Sequence, residues 1–561
     1  MSDTPQARAR FAPTLVAGCL AVFVAQVAYS LPASILGTIQ SSLGISGAEL
    51  TWVSAAFATA MVIFELTFGV VGDMFGRKRL LLSGLAVLAV GELITIAGAD
   101  HVHYLWVGQI IAGIGAGALY PISLTMIAAA APDAKARARA IALWAGFLSL
   151  GAAVSPIAAG VLAQNGHWRT AFWIPIALAA VGLVAALPSH DSSAPEGRAL
   201  DLPGQVTLII GLVSLIWALT QGSAVGYDQA SIVLGFVVGA AFLIAFVVVE
   251  LRTASPLIHL SLFRNRAFAV TGITAVTGMF AYLATCFSMS MFLGSVAHIG
   301  AVWIGILFLI IQVPALLLVP LVARLIHSVS PRWVLTTGFL LIAAAAFWSS
   351  NLDVHDFVTA QGAPRDAAWV KFIAPMVLNG VGFALTVGSI TAVAINSVPT
   401  RLAGMASATT NLLRDFGFAL GPVVGGALST AVANHRLTDG LGKAMGEAQL
   451  SQPLRGVAAG IAEHGGAVAI NSLPTLPPSA TTIPGVKAVP MPAALHELAL
   501  DALGHAFNLT FLTAAACAAA SALLTAVGLV GARSGSQSHA ENAENATDQT
   551  APADSLTGGI Q

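Results

Sequence analysis

Residues 69–79 read GVVGDMFGRKR, a helix end with glycines followed by an acid, a tight turn and a basic cluster. Gly69 lets a neighbouring backbone approach, and Asp73 can pair with a basic residue or with a helix N-terminus. The basic cluster at 77–79 resists translocation, so it holds this turn in the cytoplasm. Taken alone, the stretch also fits a simple topology anchor.

The segments on both sides of this turn are apolar enough to cross a membrane. Of the 561 residues, 57% are hydrophobic and 9% are charged, whereas a soluble domain has about 25% charged residues. The longest window without Asp, Glu, Lys or Arg, 267–323, has room for two spans, since one membrane helix needs roughly 20 residues. The sequence predicts an all-α integral membrane protein with fourteen spans, at 12–37, 50–72, 80–99, 104–130, 140–163, 170–188, 203–221, 230–250, 268–293, 301–323, 333–350, 369–396, 404–432 and 506–531.

The Lys and Arg residues are distributed unequally between the two sides of these spans. With the N-terminus in the cytoplasm, sixteen fall on the cytoplasmic side, and only Arg169, Arg365 and Lys371 fall in short loops or helix ends opposite. Short loops rich in positive charge stay in the cytoplasm. We therefore expect a multi-pass protein of a bacterial inner membrane with both termini in the cytoplasm.

The span pattern also predicts how the chain is divided. The predicted parts are a cytoplasmic N-terminus at 1–11, a six-helix bundle at 12–188, two inserted helices with linkers at 189–267, a second six-helix bundle at 268–532 and a disordered cytoplasmic tail at 533–561. Within the second bundle, residues 433–505 are rich in Ala, Gly and Pro and are expected to form a long outside loop. The tail has almost no apolar residues to bury.

Two spans carry small residues and a proline in corresponding places. These residues are Gly151, Pro156 and Gly160 in the fifth span and Gly421, Pro422 and Gly425 in the thirteenth. Proline removes a helix hydrogen bond and glycine permits close packing, so both helices are suited to bend and to approach their neighbours. Generic packing of membrane helices explains one such copy, whereas two copies indicate an internal repeat of the kind that transporters have.

The turn at 69–79 resembles the signature loop between helices two and three of the major facilitator superfamily. In that family the loop is a conformational latch between two halves, and the resemblance implies this role for Gly69, Asp73, Gly76, Arg77 and Lys78. The fifth-span pattern resembles the motif of drug:proton antiporters. Further matches are His167-Trp168-Arg169, Pro256-Leu257, Leu262-Phe263-Arg264 and Arg414. From about residue 20 to 532 the chain is similar to the fourteen-helix drug:proton antiporters, which implies two six-helix bundles with two additional helices between them.

Few ionisable residues lie inside the predicted spans. The candidates for proton or cation coupling are Glu65, Glu92, Arg414 and Asp415. A charge in hydrocarbon costs roughly 2.5–3.5 kcal/mol on insertion scales, so each is expected to have a function or a partner. Glu65 lies roughly 12 Å deeper than Asp73, whereas Glu92 is better explained by a structural hydrogen bond. Arg414 and Asp415 point about 100° apart around a helix, so the sequence predicts a different partner for each.

The family often has an Asp in its first helix and an Arg in its fourth, where this chain has Ala28 and Gln109. Two usual members of the proton-handling set are therefore absent. Polar and aromatic residues in spans that the resemblance places around a central cavity are candidates for substrate contact, because ligand sites join apolar walls to a few polar groups. They are Gln26, Tyr29, Gln109, Tyr120, Phe280, Tyr282, Gln312 and Asn379.

Several classes of protein are disfavoured by what the chain lacks. Its net charge of −1 argues against general affinity for nucleic acid, and Cys19, Cys286 and Cys517 have no metal or disulfide spacing. No catalytic constellation, metal site or cofactor motif is present, so an enzyme is not expected. The predicted soluble parts are too short for a nucleotide-binding domain, so energy must come from a gradient.

We therefore expect a secondary active transporter that exports hydrophobic or amphipathic compounds in exchange for protons by alternating access. Its expected partners are a small-molecule substrate, protons and the lipid bilayer, with the chain monomeric and a periplasmic adaptor as an optional partner. Two alternatives remain open at this stage. One is a metabolite facilitator or symporter, and the other is a membrane sensor or scaffold without transport activity.

Overall fold

A computed structural model describes residues 5–98, 100–164, 167–193, 200–253, 256–358, 365, 367–398, 403–472, 475–476 and 489–530. Almost all of this part is helical. The α-helices are α1 Pro5–Ser30, α2 Leu36–Leu43, α3 Gly47–Phe75, α4 Arg77–Ala97, α5 Val102–Ala130, α6 Ala134–Leu162, α7 Trp173–Ala186, α8 Leu202–Val225, α9 Ala230–Arg252, α10 Arg266–Met291, α11 Ala301–Leu317, α12 Val319–Ser328, α13 Pro331–Ser349, α14 Ile373–Asn396, α15 Ala403–Glu447, α16 Gln452–Ser472 and α17 Ala493–Gly528.

Short elements complete the described chain. A π-helical turn, Phe292–Val296, extends α10, and two-residue strands β1 Thr475–Leu476 and β2 Val489–Pro490 pair antiparallel. The 3₁₀ turns are Leu31–Ser34, Trp168–Phe172, Leu260–Arg264, Val354–Asp356 and Ala368–Phe372.

The predicted membrane spans are all occupied by helix. Thirteen helices of the described part are long and apolar enough to cross a membrane. The remaining predicted span, 301–323, is divided between the 17-residue α11 and the following α12. Pro314 lies in the last turn of α11, where its missing N–H weakens the helix, and a new helix starts at Val319. The prediction of an all-α membrane fold is confirmed.

The helices pack in two groups joined by a helix pair. One group contains α1 and α3 to α7, and the other contains α10, α11, α13, α14, α15 and α17. The pair α8 and α9 packs together, and α8 also contacts α3 and α15. Between the two groups, α6 packs against α11 and α3 packs against α15. A site between α3 and α15 is therefore built from both groups.

The described residues of 433–505 are largely helical, which the sequence did not predict, while the position of this segment outside the membrane stays a prediction. In this segment α15 continues to Glu447, α16 follows, and α17 begins at Ala493. Alanine is the best helix former, and apolar residues of the segment such as Leu437, Val457 and Leu495 are buried in the largest apolar cluster. The predicted tail at 533–561 lies outside the described residues, as do 1–4 of the predicted N-terminus.

Candidate functional site

Arg414 and Asp415, the candidate coupling residues on α15, form an ion pair with each other. Arg414 Nε donates to Asp415 Oδ1 at 2.9 Å, and Arg414 Nη2 donates to Asp415 Oδ2 at 3.2 Å. The prediction that these neighbours must have different partners was wrong. It considered only the directions of the Cβ atoms, whereas the long arginine side chain bends around the helix and brings its planar guanidinium onto the carboxylate. Arg414 also donates to Asn411 Oδ1 at 3.2 Å.

Glu65 on α3 completes this ionisable cluster. Its side chain is 8% exposed and lies within hydrogen-bond range of the Asp415 carboxyl, which is 5% exposed, and it also interacts with Arg414. Glu65 Oε2 is buried without a hydrogen-bond partner among the described residues. The residues Glu65, Arg414 and Asp415 are called the ionic cluster below. They join the two helix groups, because Glu65 lies on α3 and the other two residues lie on α15.

Tyrosines of the first helix group surround the ionic cluster. Tyr29 on α1 and Tyr120 on α5 both lie within electrostatic range of Asp415. The Tyr120 hydroxyl donates to Gln26 Oε1 at 2.8 Å, whereas the Tyr29 hydroxyl is buried without a partner among the described residues. A buried hydroxyl without a partner is costly, so Tyr29 is available to bond a bound molecule.

Aromatic rings of the second helix group face the same region. Tyr282 stacks on Phe383 with ring centroids 4.3 Å apart, and Phe418 lies 6.0 Å from Tyr282. Gln312 Nε2 donates to the Tyr282 hydroxyl at 3.2 Å, and Tyr282 is within electrostatic range of Tyr29. Aromatic side chains of both helix groups therefore lie close to one another here.

Asn379 on α14 also belongs to the second helix group. Its Nδ2 donates to Cys286 Sγ at 3.4 Å, and its Oδ1 is buried without a partner in the described part. Cys286 is in turn within electrostatic range of Tyr29. Phe383, Phe418 and Cys286 could not be singled out from the sequence, because apolar residues of a membrane helix look alike whether they face lipid or a cavity. Phe280 is buried on α10 in the main apolar cluster.

Two predicted site residues lie elsewhere, between α4 and α5. Gln109 Nε2 donates to Glu92 Oε2 at 3.2 Å and approaches Thr95 Oγ1 at 3.3 Å, and Glu92 and Gln109 are both fully buried. The helices are very close here, because a Cβ at Gly91 would lie 2.3 Å from Ala112 N. The structure therefore gives Glu92 the structural hydrogen bond predicted for it, and it places Gln109 away from the ionic cluster.

The latch residues form contacts at one end of the bundle, called the latch end below. Arg77 Nη2 pairs with Asp73 Oδ1 at 2.8 Å, and Arg77 N donates to Ser192 O at 2.9 Å. Lys78 N donates to Asp191 Oδ1 at 3.0 Å, and Lys78 Nζ to Ser189 O at 3.0 Å. The turn is thus bonded to the segment that follows α7.

Gly76 makes that turn possible. Its φ of +108° favours glycine, and a Cβ there would lie 2.9 Å from Asp191 Oδ2. Gly69 is less constrained, since a Cβ at that position would lie 3.8 Å from Pro121 Cβ. The tight turn predicted at Gly76 is confirmed.

The small residues of α6 and α15 lie at helix contacts. A Cβ at Gly151 would lie 3.0 Å from Gln26 Cβ on α1, and one at Gly421 would lie 2.9 Å from Ala284 N on α10. Gly425 is looser, with its nearest atom at 3.6 Å. Pro156 and Pro422 lie inside their helices, and Pro156 O accepts a 2.6 Å hydrogen bond from Ser34 Oγ.

The two helix groups approach each other most closely at the end opposite the latch. A Cβ at Gly160 on α6 would lie 2.6 Å from Ala301 O on α11, and one at Gly37 would lie 2.4 Å from the carbonyl carbon of Gly294. Gly146 is roughly 21 Å from Gly160 along α6 toward the latch end and within about 40° of the same face. A Cβ at Gly146 would meet nothing within 4 Å. Along this face, α6 is tightly packed at one end and open at the other.

Two groups of membrane-spanning helices with a buried ionic cluster between them are an arrangement that membrane transporters use. The Major Facilitator Superfamily model matches residues 18–422. The chain therefore belongs to the Major Facilitator Superfamily.

The chain is similar in sequence to curated resistance and export proteins and similar in fold to solved transporter structures. The Tetracenomycin C resistance and export protein of Streptomyces glaucescens is 28% identical over 525 residues, covering 92% of each chain. Multidrug resistance protein Stp of Mycobacterium tuberculosis strain CDC 1551 / Oshkosh is 27% identical over 74% of this chain and 76% of its own. The fold is similar to that of the POT family transporter PepTSo, with a TM-score of 0.57, 14% identity and coverage of 92% of this chain and 97% of that one.

Proposed function

We propose that this transporter exports hydrophobic or amphipathic compounds in exchange for protons. The two relatives named above are called resistance or export proteins, which supports a drug-like substrate. The tyrosines and phenylalanines around the ionic cluster support the same class, because flat aromatic walls bind varied apolar molecules. The export direction rests on those relatives' names.

The contact between Glu65 and Asp415 carries the proposal of proton coupling. Arg414 neutralises one of the two carboxylates, so the ionic cluster has one excess negative charge when both are ionised. Such a charge is costly inside a membrane. One proton shared between the two carboxyl groups removes the charge and supplies the missing donor between them.

Exchange of substrate for a proton follows because both compete for the contact between Glu65 and Asp415. A substrate that binds beside Glu65, above all one with a positive charge, favours the ionised carboxylate and so displaces the proton. A proton that returns from the other side of the membrane restores the neutral cluster and releases the substrate. Because Glu65 belongs to α3 and Asp415 to α15, both events act on the contact between the two helix groups.

Alternating access would follow from the packing of α6 on α11 and of α3 on α15. We infer that the latch end faces the cytoplasm, because the basic residues of the predicted loops cluster there, and that the open face of α6 is the cytoplasmic entrance. When this cytoplasmic entrance closes, the two helix groups would separate at the opposite end, at Gly160 and Gly37. In this proposal the protein resides in the bacterial inner membrane, with both termini in the cytoplasm.

The test is pH-gradient-driven uptake of a lipophilic cationic dye into inside-out vesicles. The natural chain is compared with Glu65→Gln and Asp415→Asn, and Glu92→Gln is the matched control, because it changes a buried acid outside the ionic cluster. We expect gradient-driven uptake to be lost in the first two and kept in the control. Dye uptake that ignores the gradient in the natural chain would instead favour a facilitator, and absence of flux for any substrate would favour a sensor or scaffold.

A further inference from the structure

A second pair of carboxyl groups lies outside the ionic cluster, where α8 begins and α9 ends. Asp201 precedes α8 and Glu250 is in the last turn of α9, and each side chain is 4% exposed. They approach each other within hydrogen-bond range. Acids buried this deeply are rare unless they have a partner, so the pair requires an explanation.

Each carboxyl group has one oxygen that is bonded and one that is not. Asp201 Oδ1 accepts from Gly204 N at 2.8 Å and caps α8, while Glu250 Oε2 accepts from Ile258 N at 2.9 Å. Asp201 Oδ2 and Glu250 Oε1 have no hydrogen-bond partner in the described part of the chain. These two oxygens converge, because a Cβ at Gly204 would lie 2.4 Å from Asp201 Oδ2 and 2.9 Å from Glu250 Oε1.

Among the described residues, no donor reaches Asp201 Oδ2 or Glu250 Oε1, and no positive charge acts on Glu250. The groups that act on Glu250 there are Asp201 and the backbone N–H groups of Leu257 and Ile258, with no Lys or Arg side chain among them. On the neighbouring α3, the nearest polar contacts go to Gln205, which bonds Thr67 Oγ1 and Ile63 O. Two ionised carboxylates in contact without a cation would repel each other strongly in this buried place.

We propose that Asp201 and Glu250 form a proton-binding site in which one proton is shared between Asp201 Oδ2 and Glu250 Oε1. The proton satisfies both unpartnered oxygens with one hydrogen bond and reduces the charge of the pair from −2 to −1. The remaining charge is held by the N–H groups of Gly204 and Ile258. Glycine at position 204 leaves the space that the two oxygens occupy.

The site connects the inserted helices to the segment that leads from α9 to α10. Ile258, which donates to Glu250, lies in the segment between α9 and α10, and it is buried in the apolar cluster of the first group. The shared proton therefore fixes α8, α9 and this connecting segment to one another. This role is separate from exchange at Glu65 and Asp415.

The test is infrared spectroscopy of the full-length protein in lipid nanodiscs, read at the carbonyl stretch of a protonated carboxyl group. The natural chain is compared with Glu250→Gln, with Asp201→Asn and, as a matched control, with Glu447→Gln, which changes an exposed acid. We expect the natural chain to show a carbonyl band that shifts in D₂O, and each single variant of the pair to lose the part of its intensity that Asp201 and Glu250 contribute, while the part from Glu65 and Asp415 remains. Either amide supplies the donor that the proton supplied, so the remaining acid ionises. The control keeps the band.

Three results would overturn the proposal. The band could keep its full intensity in both single variants, or titration with Na⁺ or Ca²⁺ could abolish the part that these variants remove at constant pH, which would indicate a metal cation in place of the proton. The third result is a failure of Glu250→Gln to fold. The proposal predicts that this variant folds, because its amide provides the same hydrogen-bond donor with nearly the same shape. Dye exchange through Glu65 and Asp415 is measured separately, so neither result depends on the other.

Discussion

Arg414 binds the carboxylate of its own chain neighbour, Asp415, through two hydrogen bonds of 2.9 and 3.2 Å. This pair has a direct consequence for Glu65. The guanidinium of Arg414 neutralises the Asp415 carboxylate, but a carboxylate cannot donate a hydrogen bond to Glu65. A proton between the carboxyl groups of Glu65 and Asp415 supplies that donor. The chemistry of the site thus depends on a contact between two adjacent residues of one helix.

Removing Arg414 should destabilise the protein more than removing the whole pair. Arg414→Met leaves Asp415 and Glu65 as two buried acids without a cation, and breaking a buried ion pair costs about 3–5 kcal/mol. The double variant Arg414→Met, Asp415→Leu should recover most of that loss. Thermal unfolding in detergent measures both, and equal losses in the two variants would contradict the pairing.

Tyr120 should contribute through its hydroxyl group. Tyr120→Phe removes the 2.8 Å hydrogen bond to Gln26 and leaves that amide oxygen without its donor, which should lower the free energy of unfolding by about 1 kcal/mol. It should also raise the dye concentration needed for half-maximal uptake. Tyr104→Phe is the control, since Tyr104 is exposed. A variant of Tyr120 indistinguishable from this control would exclude the proposed role.

The two ends of α6 should respond differently to an added methyl group. Gly160→Ala places a Cβ 2.6 Å from Ala301 O, so it should separate α6 from α11 at the end opposite the latch. Gly146→Ala, on the same face of α6, meets nothing within 4 Å and is the matched control. Labelling of a cysteine introduced at position 38 should increase in the first variant and stay unchanged in the second. The same labelling in both would contradict tight closure at that end.

His298 should make stability depend on pH. Burial lowers the pKa of His298 from its ordinary value, so the unfolded chain takes up a proton before the folded chain does. The stabilisation is complete above pH 6.5, the ordinary value, and it is lost as the pH falls through the lower folded value. His298→Asn should flatten this dependence of the melting temperature, and asparagine tolerates the φ of +53° found there. Replacing the exposed His435 should leave the slope unchanged.

The sequence predicted the helical membrane fold because length and apolar composition determine which segments can cross a bilayer. It did not predict the helices in the described part of 433–505, where Gly and Pro suggested an irregular loop. The Gly residues at 440, 442 and 446 lie inside α15, since alanine content and burial against the main apolar cluster outweigh their lower helix propensity.

The ionic cluster could be predicted only in part, because its contacts also depend on tertiary packing. Ionisable residues in apolar spans are conspicuous, so Glu65, Arg414 and Asp415 were recognised as candidates. Their partners were not predictable, because a contact between α3 and α15 depends on tertiary packing, and the reach of Arg414 depends on its side-chain conformation. Asp201 and Glu250 were missed as a pair, because both lie at helix ends, where isolated acids are common.

The most direct test of proton exchange at Glu65 and Asp415 is proton release on substrate binding. The purified protein in weakly buffered detergent solution is mixed with saturating lipophilic cationic dye, and a pH indicator reports the protons released per bound dye. We expect release of about one proton by the natural chain and by Glu92→Gln, because the dye displaces the shared proton, and none by Glu65→Gln or Asp415→Asn, because the shared proton is absent there. Dye binding without proton release in the natural chain would contradict it.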